Sequence, residues 1–498
     1  MKNPILVAVS AIVLLAPALL PAEDTLPLKA VNRANEIIDA ALEAYGGADT
    51  ITKLNSVASK SHFTTWATNQ SRSPGPPWDK GETINFAAID FENKTFVGKN
   101  RGSGGGFDFN TSQIIKGEEG WQVSYRGGTV TPIAEPSFDT TSGPFIRVTA
   151  PLLVKQLQNR RQTSHWLGEV EFDGRPHDVI TLVMEVGPAL SLYFDQETHL
   201  LSRSERVLPP FGQVDYRFLD YEVIDGIPFA KTFKLFVNDQ PNIHIEIQTI
   251  DVNQSIDQYA VVPENLEMLE TPPPAPTEVA LQEVEEGVFL VGAAGTYAMF
   301  VEMDDHIVAI GGTAGIPDRI AAMREVVKDK PIKYGVMTHH HNDHILGVPA
   351  YQAEDAMVLT VKDHEAIMRA AATDADSLKL QFVEDRYVFD DTSRRLEIID
   401  IGPTPHSEHL LVAWLPKEGI LFEADHFPNP ANGRMQPAQP VTKRLAEVID
   451  DLKLNVKIIV GAHSPRIASI DDLRRSLALT PVKVAQQLSS MDSSPEGP

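Results

Sequence analysis

Thr338-His339-His340-His341-Asn342-Asp343-His344 sets four imidazoles, an amide and a carboxylate into six consecutive residues from His339. A folding core does not call for such a density of polar rings. Buried imidazoles and carboxylates need partners, and a divalent cation satisfies several of them at once. The spacing reads H-x-H-x-D-H, a pattern with a metal-binding rationale. A solvated His-rich loop is the competing explanation, and the flanking sequence decides between them.

The cluster begins at the carboxyl end of Ile332-Lys333-Tyr334-Gly335-Val336-Met337, a run short and apolar enough to be a strand. Three further candidates share that placement. His406 follows Leu396 to Ile401 through a Gly-Pro-Thr-Pro turn, Asp425 follows Gly419 to Ala424, and His463 follows Val456 to Ala462. Taken singly, each is more often a turn or cap residue. Taken together, side chains set just beyond the ends of separate strands converge on one crevice at the edge of a layered α/β structure. Strand-like runs at 287–291, 297–302 and 306–310, then a helix from Ile316 to Lys328 with Pro317 in its first turn, place this half in the α/β class. Trp414 reads as core, and His364, His409 and His426 read as packed or solvated neighbours of the site.

Upstream, Glu270-Thr271-Pro272-Pro273-Pro274-Ala275-Pro276-Thr277 favours an extended polyproline conformation. We therefore divide the chain into a domain over residues 28–270, a Pro-rich linker over 271–277 and a second domain over 278–480. In the first domain, Val31 to Tyr45 has apolar residues at helical spacing and ends in Gly46-Gly47. Beyond Leu54 the period changes to two, as in 83–91, 120–125, 189–194, 214–218 and 244–250, which reads as a long antiparallel sheet. Ala150 to Arg161 reads as a second helix. His165, His177, His199 and His244 are scattered singly and read as strand-surface or cap residues.

Composition limits the function classes. With 498 residues the chain is too long for one ordinary core. A formal charge of -25 provides no positive field for nucleic acid. The absence of Cys removes disulfides, thiolate nucleophiles and Cys-based zinc sites. Lys2, the apolar run Ile5 to Leu20 and the small residues Ala18 and Ala22 read as a signal peptide over residues 1–22, so a periplasmic or secreted protein is expected, with a retained anchor as the alternative. Residues 489–498, rich in Ser and Pro with acidic residues, read as a disordered tail.

Two resemblances follow from these motifs. The second domain resembles the metallo-β-lactamase superfamily, which implies an αββα sandwich with a two-metal site. On its motif blocks, His339, His341 and His406 correspond to the first metal site, Asp343, His344 and His463 to the second, and Asp425 to the bridging carboxylate. His340 and Asn342 fall in variable places. The resemblance implies a hydrolase with two zinc ions, iron or manganese also suiting such donors. A metal-bridging hydroxide would attack an ester, lactone, thioester or related bond, with Asp343 and Asp425 orienting it or passing on its proton. Gly311 stands where the superfamily usually has an Asp that supports the metal loop, so that support is expected from elsewhere. Without Cys the pattern is closer to the lactonase and thioesterase-like branches than to the lactamases.

The first domain resembles the β half-barrel of periplasmic lipoprotein carriers in the helix ending Ala44-Tyr45-Gly46-Gly47, the Gly120-Trp121 turn, and the stretches 192–201 and 220–228. This implies a two-domain α+β chain, an antiparallel β half-barrel with helices followed by the αββα sandwich, and it admits an apolar ligand in the first domain. The principal expectation is an exported dinuclear zinc hydrolase acting on a small molecule. The rivals are an apolar-ligand carrier with a vestigial metal site and a mononuclear iron oxidoreductase.

Overall fold

The computed structural model describes residues 25–209, 212–271 and 276–481. The signal segment 1–22, the tail 489–498 and linker residues 272–275 lie outside the described residues.

The first half builds one sheet, antiparallel but for its Glu267–Met268 edge strand, around four α-helices among the described residues. Its central strand, Ser56–Trp66, pairs with Lys80–Asp90 on one side and Gln240–Val252 on the other. Among the described residues the sheet has 14 strands, ending at Glu267–Met268 on one edge and Trp166–Phe172 on the other. Helix Leu26–Ala44 starts earlier than its apolar periodicity at Val31, because Pro27 in the first turn has no N–H to leave unpaired. It buries Ile37, Ile38, Ala41 and Leu42 against the sheet together with Leu152, Leu153 and Leu157 of helix Ala150–Arg160. Each fully buried Leu or Ile contributes about 1.5–3 kcal/mol, so this face alone anchors the helix. A third helix, Phe138–Arg147, was not expected from sequence, since Gly143-Pro144 is ordinarily a turn signal. Ser137 starts it, its Oγ accepting from the Thr140 N–H at 3.2 Å. Phe96 on one arm of the sheet and Tyr216 on the other line the same cavity, so the sheet curves around these helices.

The second half contains two sheets. One runs in the order Ala280–Glu285, Val288–Ala293, Thr296–Glu302, Ile307–Ile310, Ile332–Val336, Met357–Thr360, Leu380–Phe382. The other runs Arg386–Asp390, Arg395–Asp400, Leu411–Leu415, Ile420–Glu423, Ile458–Gly461, Ala468–Ser469. Alternation along each strand assigns its side chains to two cores. Val288 and Leu290 face Leu396, Ile398 and Phe422 between the sheets, whereas Phe289 and Val291 pack outward on Ile316, Ile320 and Met323. On the far side, Val412, Trp414 and Leu421 pack on Leu445, Val448 and Ile449 of helix Pro440–Asp451. Strands buried on both faces read as continuous apolar runs, which is how they appear in the sequence. The layers are helix, sheet, sheet, helix. Among the described residues, no helix is long and apolar enough to cross a membrane.

Candidate metal centre

Strands Ile420–Glu423 and Ile458–Gly461 are parallel, so the loops that follow them, carrying Asp425 and His463, emerge at the same edge. The loops after Ile332–Val336 and Arg395–Asp400 bring His339 to His344 and His406 to that edge as well. All seven predicted side chains meet there. The donor atoms form three overlapping groups, His339 with His341 and His406, His339 with His344 and Asp425, and Asp343 with His344 and His463, each spanning at most 4.8 Å.

The geometry has the proportions of a metal site. Asp425 Oδ2 lies 3.3 Å from His339 Nε2, 3.4 Å from His406 Nε2 and 2.8 Å from His344 Nε2. Asp425 Oδ1 lies 3.1 Å from His463 Nε2, and Asp343 Oδ2 lies 3.4 Å from His344 Nε2. Donors about 2.0–2.2 Å from a tetrahedral ion are separated by roughly 3.3–3.5 Å, and several of these distances fall there. His339 Nε2, His341 Nδ1, His406 Nε2 and Asp425 Oδ2 are buried with no hydrogen-bond partner in the protein, a costly arrangement unless a cation sits among them. This donor set fits a di-metal group.

Electrostatics favour the ligand form of His339 and His341, whereas Asp425 outweighs burial at His406 and raises His463. Burial, reinforced by the neighbouring His344 and His341 rings, holds His339 well below its ordinary value. Burial, with His406 and His340 adding, pushes His341 down to about 2. Both are neutral at physiological pH, as metal ligation requires. Burial opposes ionisation of Asp425, but the surrounding His344, His406 and His463 outweigh it and keep the carboxylate charged. Asp425 also sits at φ +62°, in the left-handed region, at a cost on the order of 1–3 kcal/mol. Beneath it, Glu423 accepts from the His426 N–H at 2.7 Å and the Phe427 N–H at 3.1 Å, fixing the turn. Burial raises Glu423 to about 8.

The support expected from elsewhere than Gly311 comes from the first half of the chain. His340 Nε2 and His341 Nε2 both donate to the Ser71 carbonyl at 2.9 Å, and His406 Nδ1 donates to the Gly105 carbonyl at 2.8 Å. A carbonyl only accepts, so the ring nitrogen facing it carries the proton. That leaves His341 Nδ1 and His406 Nε2 with their lone pairs turned inward, the arrangement outer partners impose at metal sites. Gln70 Nε2 donates to Asp343 Oδ1 at 2.8 Å and also contacts Asn342 Oδ1, leaving Asp343 Oδ2 toward His344 and His463. Gly311, at φ +107°, instead accepts from the Tyr351 hydroxyl at 2.6 Å.

These first-half contributions were not among the residues expected from sequence. The glycine run Gly104-Gly105-Gly106 is the one visible signal. Gly106 adopts φ +84°, and a Cβ there would come within 2.4 Å of Val441 Cγ1, so the tip of this hairpin docks only as glycine. Beside it, the Phe107 ring stands edge-on to His406 with centroids 5.9 Å apart. Phe107 forms one wall of a cleft of about 360 Å³ whose floor includes Asp425 and His463.

The other histidines take secondary positions. His340 is buried against His364, its ring directed away from the donor groups to Ser71. His409 Nδ1 pairs with Asp400 Oδ2 at 2.6 Å, and His426 is buried with Nδ1 donating to the Ala424 carbonyl. His165, His177, His199 and His244 join none of the donor groups, and Trp414 is core.

Residues 310–463 match the family model described as the metallo-beta-lactamase superfamily. Solved structures that align include the mono-zinc form of the metallo-beta-lactamase FIM-1 from Pseudomonas aeruginosa, at 18% identity and TM-score 0.33, covering 41% of this chain and 96% of that one. A metallo-beta-lactamase from Pontibacter korlensis aligns at 19% identity and TM-score 0.33, covering 41% and 98%. The flavodiiron protein from Giardia intestinalis aligns at 18% and 0.32, covering 41% and 59%. No curated protein matches this sequence.

Proposed function

We propose that this chain, whose residues 310–463 form a metallo-beta-lactamase superfamily domain of the metal-dependent hydrolase class, is an exported dinuclear zinc hydrolase of ester, lactone, thioester or related bonds in a small molecule. The observation that carries this reading is the convergence of the partnerless ring nitrogens of His339, His341 and His406 on one another, with Asp425 Oδ2 beside two of them. His339, His341 and His406 would hold one ion, Asp343, His344 and His463 the other, and Asp425 both. Two zinc ions, when bound, supply Lewis acidity toward a carbonyl oxygen and a water of lowered pKa.

The chain's own residues do the rest. Ser71 and Gly105 fix the tautomers of His341 and His406. Gln70 holds Oδ1 of the half-exposed Asp343, which turns Oδ2 toward His344 and His463, where it would help hold the second ion and orient a water beside it. Phe107, Phe427, Pro428 and Pro430 give the cleft apolar walls, which suit an acyl or ring substituent beside the reacting bond and exclude water from it. The support for export is the Ile5 to Leu20 apolar run after Lys2, and mass spectrometry of the mature protein should place its first residue at Glu23.

Metal analysis of purified protein should find close to two zinc ions per chain. Chromogenic esters, lactones, thioesters and a cephalosporin, assayed with and without chelator, should show chelator-sensitive hydrolysis that Asp343→Ala abolishes. A fully active Asp343→Ala protein would sink the reading.

A further inference from the structure

The first half holds a cavity of about 390 Å³ between the curved sheet and helix Phe138–Arg147, far from any donor group of the metal centre in sequence and sharing none of its residues. That volume lies in the range of small-molecule sites, roughly 300–1,000 Å³. Most of its wall is apolar, including Phe63, Phe96, Phe233 and Ile243. Two guanidinium groups, Arg147 and Arg206, also line it, with Tyr216 between them. The Arg206 guanidinium lies 5.7 Å from the centre of the Tyr216 ring, and Arg147 is hydrogen-bonded to the Tyr216 side chain.

These two cations are unusual in this molecule. The chain has 68 acidic residues against 43 Lys and Arg, and nearby arginines on the same sheet are paired. Arg203 meets Asp215 at 2.8 Å, Arg217 meets Asp215 at 2.9 Å and Arg175 meets Asp195 at 3.1 Å. Among the described residues, no carboxylate pairs with Arg147 or Arg206, and Arg206 Nε is buried without a hydrogen-bond partner. Burial lowers the Arg147 pKa and the neighbouring charge of Arg206 lowers it further, against the opposing Tyr216 hydrogen bond. Partly buried cations with no carboxylate beside them carry a cost, and an anion bridging them removes it.

We infer that this cavity binds a single-chain amphiphile with an anionic headgroup, its carboxylate held between Arg147 and Arg206 and its alkyl chain lying along Phe63, Phe96, Phe233 and Ile243. A planar carboxylate matches the guanidinium fork and accepts from both. The hydrocarbon wall gives no preference between an acid and an alcohol of equal chain length, so the headgroup preference belongs to the two arginines. The inference is independent of the metal chemistry.

Isothermal titration of the full-length protein with dodecanoate, dodecan-1-ol and dodecyltrimethylammonium, each below its micellar concentration, tests it. Dodecanoate should bind about ten- to a hundred-fold more tightly than the alcohol, the worth of one charge-assisted contact, and the cationic amphiphile weakest. Arg147→Gln/Arg206→Gln should erase the difference between acid and alcohol, while its melting temperature stays close to that of the parent, the relief of like-charge repulsion offsetting the lost Tyr216 contacts. Equal affinity for acid and alcohol in the unmodified protein overturns the proposal, as does failure of all three to bind. An acid preference that survives in the double variant overturns the assignment to these arginines. Should the double variant not fold, the headgroup series on the unmodified protein still decides.

Discussion

The two halves of the molecule contribute to the metal centre in different chemical forms. The second half supplies seven side chains, all His or Asp, from the loops that follow four of its strands. The first half supplies mostly backbone, through the Ser71 and Gly105 carbonyls, with Gln70 as its one side chain bonded to a donor residue. A ligand can be deleted by one substitution, but a carbonyl cannot. The comparison predicts that effects scale with how directly each half touches the site.

The largest effect belongs to His341→Ala, which removes a donor and the Ser71 hydrogen bond together. Hydrolysis should fall by about a thousand-fold or more, with zinc content below two per chain by metal analysis. Retention of both zinc ions would break the assignment of chemistry to the second half. Next, Gly106→Val should force the hairpin tip away from Val441 and Pro405 and take the Gly105 acceptor from His406. Zinc affinity by chelator competition should drop about 10–100-fold, the usual cost of losing an outer partner, although no donor has changed. An unchanged affinity would show that the first half is a bystander.

Gln70→Ala should cost about ten-fold, at the lower end of that range, and, on the proposed two-zinc reading, should weaken the site containing Asp343 more than the other. Two-step zinc titration separates the sites. The smallest effect is expected for Arg72→Ala, which breaks the 3.3 Å ion pair to Glu408 across the same interface. Both partners are well exposed, so denaturant unfolding should change by about 1 kcal/mol or less.

This contrast also explains what could be read from the sequence. The convergence of these seven side chains was legible because ligand chemistry demands particular side chains and parallel strands bring their ends to one edge. The layered second half was legible because strands buried on both faces are continuous apolar runs, as in Val288 to Val291. Helix Phe138–Arg147 was not legible, since Gly143-Pro144 is locally a turn signal and its helicity is imposed by burial of Phe145 and Ile146. Ser71 and Gly105 were invisible for a deeper reason. A carbonyl is present at every residue, and only the fold selects which one meets a histidine. Gly106 left a trace because the close approach there forbids a side chain.

The hydrogen bond from His341 to Ser71 spans 270 residues of chain and that from His406 to Gly105 spans 301. During synthesis the acceptors leave the ribosome long before the rings that will use them, and His463 follows last of all. A nascent chain therefore carries its outer support early but holds no complete donor set until nearly all of residues 25–463 have emerged. A chain cut short before His463 lacks part of this donor set.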